Sequence, residues 1–140
     1  RDYVLHGGGL VILGGMQTLG NGNFARSRIA DLLPVEPGKP FELRPLKDKA
    51  LHAVDTSLPL ANLAGTGAAI VHKLAVRPGN RVVVSAGEDP VLVTGSAGEG
   101  RIAVFGGTTL GAVPNGLTAF WKAPSWPQTL GQIIRWTAQR

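Results

Sequence analysis

Side chains suited to acid–base chemistry are few in this sequence, and they lie far apart. The three histidines are His6, His52 and His72, and no two of them have the spacing of a local zinc site. His52 comes shortly before Asp55 in a predicted loop, where the carboxylate could orient the imidazole as a general base. Together with Glu88, this pair forms the candidate catalytic set of a hydrolase that acts on a sugar or an amide.

A nucleophile for such an enzyme is not evident. The sequence contains no cysteine, which excludes a thiolate nucleophile, a disulfide framework and a cysteine-based zinc site. No serine stands in the Gly-x-Ser-x-Gly pattern of an esterase nucleophile elbow. His72 alternates in phase with Ile70 and Leu74 along a predicted strand, which favours a satisfied, half-buried histidine over a ligand. No pattern indicates a metal or a cofactor, and we predict neither.

A glycine-rich loop over residues 14–23 offers better-placed binding groups. It follows a short apolar run and precedes a predicted helix, which is where open α/β sheets bind ligands. Backbone N–H groups and an arginine at this position favour a small anion. The candidate crevice consists of Gly14, Gly15, Met16, Gln17, Thr18, Asn21 and Arg26. Neither of the two common phosphate-binding glycine motifs is present, so a tight turn that merely requires glycine is the simpler interpretation.

Apolar patterning predicts the elements that position these residues. Residues 10–13 form a short, continuously apolar run between glycines, which is typical of a buried central strand. Residues 2–6 resemble the end of a helix, residues 24–33 show helical spacing, and a C-terminal helix follows Ser125 as N-cap with Gln128 as its capping-box partner. Strands are predicted at 41–44, 70–76, 81–86, 90–94 and 101–105, the last two antiparallel across a short connection.

Length and charge exclude several classes of protein. The 140 residues are enough for one domain, and their low charged fraction of 16% excludes a wholly disordered chain. The net charge is +5, but the basic residues are scattered rather than concentrated, so we predict no nucleic-acid binding. No apolar run approaches the roughly 20 residues of a membrane helix, so we expect no membrane span in this segment. Nothing in the composition indicates a compartment.

Two long stretches resemble the class I glutamine amidotransferase-like superfamily. The first is GGGLVILGG at 7–15 followed by GNGNFARSRIADLLPV at 20–35. The second, PVLVTGSAGEGRIAVFGGTTLG at 90–111 with IIRW at 133–136, is similar to the trehalose-utilisation-type relatives. The resemblance implies an α/β fold, a flavodoxin-like three-layer sandwich with a mostly parallel sheet and an antiparallel hairpin near the C-terminus. Catalytic members carry a cysteine after the strand that matches 10–13, where this chain has Gly14, Gly15 and Met16.

The same resemblance implies a role within a larger protein. Residues 1–140 would form a single domain, the C-terminal part of a longer domain or protein, because the strands that begin the superfamily's sheet are missing from them. The uncovered sheet edge would then require the missing N-terminal portion or another protein chain. We therefore expect a non-catalytic amidotransferase-like domain that binds a ligand or another protein. The alternatives are the hydrolase, which needs two of its three candidates near the 14–15 turn, and a structural module of an assembly.

Overall fold

β-Strands dominate the computed structural model, which describes residues 1–139. Strands account for 32% of the chain and helices for 19%. The helices are α1 (Asp2–Leu5) and α2 (Trp126–Ala138), with single 3-10 turns at Phe24–Arg26, Ala30–Leu32 and Phe120–Lys122. The strands in chain order are β1 (Gly9–Leu13), β2 (Val35–Glu36), β3 (Leu43–Pro45), β4 (Leu51–Ala53), β5 (Thr66–Gly67), β6 (Ile70–His72), β7 (Ala75–Val76), β8 (Arg81–Ala86), β9 (Asp89–Ala97), β10 (Gly100–Phe105) and β11 (Thr118–Ala119).

The main sheet has five strands in the order β1–β10–β9–β8–β4. Tight turns join β8 to β9 and β9 to β10, so these neighbours run antiparallel, and β4 is antiparallel to β8. β1 runs parallel to β10, with Gly9 opposite Arg101 and Leu13 opposite Phe105. The remaining short strands form three separate pairs, β11–β5, β2–β7 and β3–β6. The carboxyl ends of β1 and β10 therefore lie side by side.

The prediction of a flavodoxin-like sandwich with a mostly parallel sheet is wrong. That fold needs helical crossovers between parallel strands and helices on both faces of the sheet. Here strands outweigh helices, and most neighbours in the main sheet are antiparallel. The reason lies in the connections, because turns of a few residues between β8, β9 and β10 permit only antiparallel neighbours. The antiparallel pairing predicted for the last two strands is confirmed.

β1 lies at an edge of the main sheet, not at its centre as its apolar run predicted. Both faces of the strand are nevertheless covered. Val11 packs against the apolar cluster that includes α2, and Ile12 belongs to the cluster on the opposite face. The apolar run therefore indicates contacts on two faces, but only Ile12 of the strand is buried and Leu13 is 39% exposed. The run carries no information about which strands lie on either side.

Residues 24–33 form two separate 3-10 turns rather than the predicted helix. Between them Ser27 is extended, with φ −79° and ψ 157°, and its hydroxyl donates to the Phe24 carbonyl at 2.7 Å. A serine that satisfies a nearby carbonyl in this way competes with helical hydrogen bonding. Phe24 and Ile29 still pack against the sheet, so their spacing reflects burial and not a continuous helix.

Other predicted strands shift or divide. The strand predicted at 41–44 lies at Leu43–Pro45 and pairs with β6. The strand predicted at 70–76 divides into β6, which pairs with β3, and β7, which pairs with β2. Part of the segment predicted as loop forms β4, which closes the far edge of the main sheet against β8. The strand predicted at 81–86 is confirmed as β8.

Two apolar clusters lie on opposite faces of the main sheet. Alternate residues of β9 and β10 supply them, because successive side chains of a strand point to opposite faces. Leu92 and Phe105 belong to the cluster that packs against Ile133 of α2, which we call the helix face. Val93 and Val104 belong to the other cluster, which the loops and short strands cover.

The predicted C-terminal helix is confirmed as α2, with Ser125 at its N-cap as predicted but without the side-chain capping hydrogen bond. Ile133 is fully buried on the helix face, whereas its neighbour Ile134 is 49% exposed. Ser125 has a helical backbone conformation and its side chain makes no capping hydrogen bond, while its carbonyl accepts from the Thr129 N–H at 3.0 Å. Within residues 1–139, no helix is both long enough and apolar enough to cross a membrane.

Candidate binding site

The turn after β1 is held closely against the end of β10. The Gly14 N–H donates to the Phe105 carbonyl at 2.7 Å, which continues the parallel ladder by one residue. A Cβ at position 14 would lie 2.5 Å from the Gly107 carbonyl oxygen, closer than real side chains approach. Glycine is therefore required at this position by the close approach of two backbones.

His72 reaches this turn from the end of β6. Its Nε2 lies 3.0 Å from the Gly15 carbonyl oxygen, 3.3 Å from the Gly15 nitrogen and 3.2 Å from the Thr18 hydroxyl. The residue is only 4% exposed, and burial lowers the pKa of the imidazole, while the hydrogen bond to Gly15 partly opposes that shift. The side chain is therefore predominantly neutral near neutral pH and satisfied by the turn.

The loop after β10 forms the second wall of this site. The Gly106 carbonyl accepts from the His72 N–H at 2.8 Å. Thr108 donates twice to the Ile70 carbonyl, from its N–H at 3.1 Å and from its hydroxyl at 2.7 Å. Both walls are thus attached to β6, and the carboxyl ends of β1 and β10 are fixed relative to one another.

The structure brings together only part of the crevice predicted from the sequence. Gly14, Gly15 and Thr18 lie at the His72 contact. Met16 is 54% exposed, and Gln17 and Arg26 are also exposed. The Asn21 carboxamide oxygen accepts from the Phe41 N–H at 2.6 Å, so this side chain holds a neighbouring loop rather than facing a ligand.

The alternative catalytic residues lie elsewhere. His52 is on β4, at the opposite edge of the main sheet from β1 with three strands between them, and Glu88 is in the turn between β8 and β9. Asp55 accepts from the Ser57 N–H at 2.8 Å, and this hydrogen bond is the chief reason that the pKa of the carboxyl is lowered. At about 4.8 Å per strand, His52 stands about 19 Å from β1, so it does not reach the 14–15 turn.

His72 is the site residue that the sequence did not single out for this role. Its phase with Ile70 correctly predicted a satisfied histidine, and the structure shows it buried rather than half-buried. The contact with Gly15 and Thr18 joins residues more than fifty positions apart in the chain. The sequence signal for this contact is the glycine pair at 106–107 followed by Thr108, which resembles the glycine pair after β1 and indicates a second tight loop after β10.

Comparison with known proteins bears on the fold alone. No family model matches the chain, and no curated protein matches it. The solved structure of a cytoplasmic protein from Salmonella typhimurium, STM3548, is 22% identical with a TM-score of 0.78, and the match covers 99% of this chain and 58% of that one. A second, the cytoplasmic protein STM1381 from Salmonella typhimurium LT2, is 22% identical with a TM-score of 0.66, and the match covers 98% of this chain and 56% of that one. The chain thus shares its fold with these proteins and spans a little over half the length of each.

Proposed function

We propose that this chain is a non-catalytic domain whose β1 edge pairs with a further strand of protein. The observation that carries the proposal is the open edge of an apolar parallel strand. The strand would come from outside residues 1–139, either from the N-terminal portion of a longer domain or from another chain. The same edge would serve a structural module of an assembly.

The hydrogen-bond pattern of β1 shows which backbone groups are available. In a parallel strand the N–H and C=O of one residue point the same way, and the direction alternates along the strand. Because Gly14 donates to Phe105 of β10, Leu10 and Ile12 face β10, and Val11 and Leu13 face away from it. Among residues 1–139, no hydrogen bond to the outward backbone groups of Val11 and Leu13 is present.

This edge also lacks the features that usually protect a free edge. Proteins blunt exposed edges with charged residues, proline or very short strands. β1 has five residues, Gly9–Leu13, with neither a charge nor a proline among them. Leu13 is 39% exposed at the carboxyl end of the strand. An edge of this kind is expected to associate with another strand.

A second candidate function is ligand binding at the turn after β1, which the His72 contact favours. Gly15, Thr18 and His72 bring a backbone N–H, a hydroxyl and an imidazole nitrogen together at the carboxyl ends of two parallel strands. The absence of cysteine at this turn supports a binding role rather than the acyl transfer of catalytic amidotransferases.

The strand-pairing proposal is tested by sedimentation of the 140-residue chain over a range of concentrations. We expect reversible self-association, because two open β1 edges can pair with each other. Leu13→Lys places a charge at this edge and is expected to shift the chain toward monomer. Val54→Lys is the matched control, since Val54 is 51% exposed just after β4, at the opposite edge of the sheet. A wild-type chain that remains monomeric at every concentration would contradict the proposal.

A further inference from the structure

A second cleft lies at the other end of the main sheet, away from the turn after β1. Its volume is about 530 Å³, within the range of sites that hold small molecules. The cleft is bordered by β9 around Thr94 and Ser96, by the turn that leads into Arg81, and by Arg101 and Trp136. None of these residues takes part in the contacts of the turn after β1.

Strand pairing places four polar residues of this cleft on one face of the sheet. Arg81 is opposite Thr94 across β8 and β9, and Ser96 is opposite Arg101 across β9 and β10. Thr94 and Ser96 are two residues apart, so they and their partners point to the same face. That face is the helix face, because Ala103 and Phe105 follow Arg101 in the same phase. The cleft therefore continues the helix face past the end of α2, with polar in place of apolar side chains.

Contacts with Trp136 and Gln139 orient the Arg101 guanidinium and leave some of its N–H donors without a partner. Its guanidinium carbon lies 5.3 Å from the centroid of the Trp136 ring, a cation–π arrangement. Its Nη1 donates to the Trp136 carbonyl and to the Gln139 side chain, each at 3.2 Å. Within residues 1–139, its Nε and Nη2 make no hydrogen bond. Those donors remain available to a bound acceptor.

Arg81 supplies a second, more exposed cation. Its side chain is 68% exposed, and its nearest carboxylate oxygen, on Asp55, is 3.8 Å away. The other oxygen of Asp55 already accepts from the Ser57 N–H. Because Arg81 and Arg101 are two strands apart and offset by two residues along them, their backbones are separated by about 12 Å, a span that two long side chains can close around one group.

We propose that this cleft binds a small phosphorylated molecule. Arg81 on β8 and Arg101 on β10 lie on either side of β9, which supplies the hydroxyls of Thr94 and Ser96, and Ser57 also lines the cleft. A tetrahedral phosphate can accept hydrogen bonds from several directions at once, and arginine is well suited to it. A planar carboxylate would use fewer of these donors, which makes phosphate the better match.

The proposal is tested by titrating the isotope-labelled 140-residue chain with glucose 6-phosphate, inorganic phosphate, acetate and glucose at constant ionic strength. We expect saturable NMR shifts at the Trp136 indole and the Ser96 amide with the two phosphates only. Arg101→Gln and Arg81→Gln should each weaken glucose 6-phosphate binding by about tenfold, since each removes a charge-assisted contact. Because the Arg81 side chain is 68% exposed, its replacement is not expected to disturb the fold. Arg28→Gln, which removes an exposed arginine outside both candidate sites, should leave it unchanged.

Several results would overturn this assignment. An equal response to glucose and glucose 6-phosphate would show that the phosphate is not recognised, and an equal response to acetate would show that any anion suffices. Shifts that weaken as much in Arg28→Gln as in Arg81→Gln would indicate diffuse attraction by the net positive charge. Thermal unfolding of each variant confirms that it is folded before binding is compared.

Discussion

At the scale of single residues, His72 connects the turn after β1 to the rest of the molecule. Its imidazole contacts Gly15 and Thr18, and its own N–H is bound by Gly106. A buried neutral histidine makes such a contact sensitive to acid, because protonation places a charge where water is excluded.

This burial predicts that the chain loses stability on mild acidification. Because the pKa of His72 is lower in the folded state than its ordinary value of 6.5, the unfolded chain binds more protons below that value. The free energy of unfolding is therefore highest above this pH and falls as the pH decreases through it toward the folded-state pKa. Urea unfolding between about pH 7 and about pH 5 measures the change.

Two variants isolate the contribution of His72 to this pH dependence of stability. His72→Gln keeps a hydrogen-bonding side chain that does not titrate, so the fall in stability below neutral pH should become shallower. His6→Gln removes an exposed histidine and is the matched control. The same pH dependence in wild type and His72→Gln would show that other groups cause the loss.

The sequence predicted the environment of His72 but not the residues that it contacts. The phase of His72 along its strand was enough to predict that it is satisfied. The identity of its partners was not accessible, because pairing of β6 with β3 and with the loop after β10 brings them together. Gly14 and Gly15 were recognised as a tight turn, and the close backbone at Gly107 explains the first of them.

At the scale of elements, α2 shows how far a periodic pattern reaches. Its apolar spacing correctly predicted a helix, and the same pattern identifies the buried stripe. The equally apolar segment 24–33 formed two turns instead, because Ser27 breaks the run. A helical pattern thus predicts which side chains are buried. It is a weaker guide to the backbone conformation that buries them.

Adjacent residues of α2 give a matched test of the helix face. Ile133 is fully buried and Ile134 is 49% exposed. Ile133→Ala should lower the free energy of unfolding by about 2–5 kcal/mol, since it leaves a cavity between α2 and the sheet. Ile134→Ala should change it by less than about 0.5 kcal/mol. Chemical denaturation of both variants measures the difference, and equal losses would contradict the assigned orientation of the helix.

At the scale of the whole molecule, strand order was the feature that the sequence could not supply. Local turns predicted the antiparallel β9–β10 pair, whereas the position of β1 beside β10 depends on contacts about ninety residues apart. The family resemblance implied the strand order of a flavodoxin-like, mostly parallel sheet. That prediction is wrong, because the observed sheet is largely antiparallel.

The shared strands make a prediction about how this molecule unfolds. β9 and β10 contribute alternate residues to both faces, so loss of either cluster removes the support of the other. We therefore expect a single cooperative transition for the 140-residue chain. Tryptophan fluorescence reports the helix face through Trp126, which packs against Phe105 at 5.0 Å between ring centroids, and far-UV circular dichroism reports the strands. Coincident curves are expected in urea, and two separated transitions would show that the faces of the sheet are independent units.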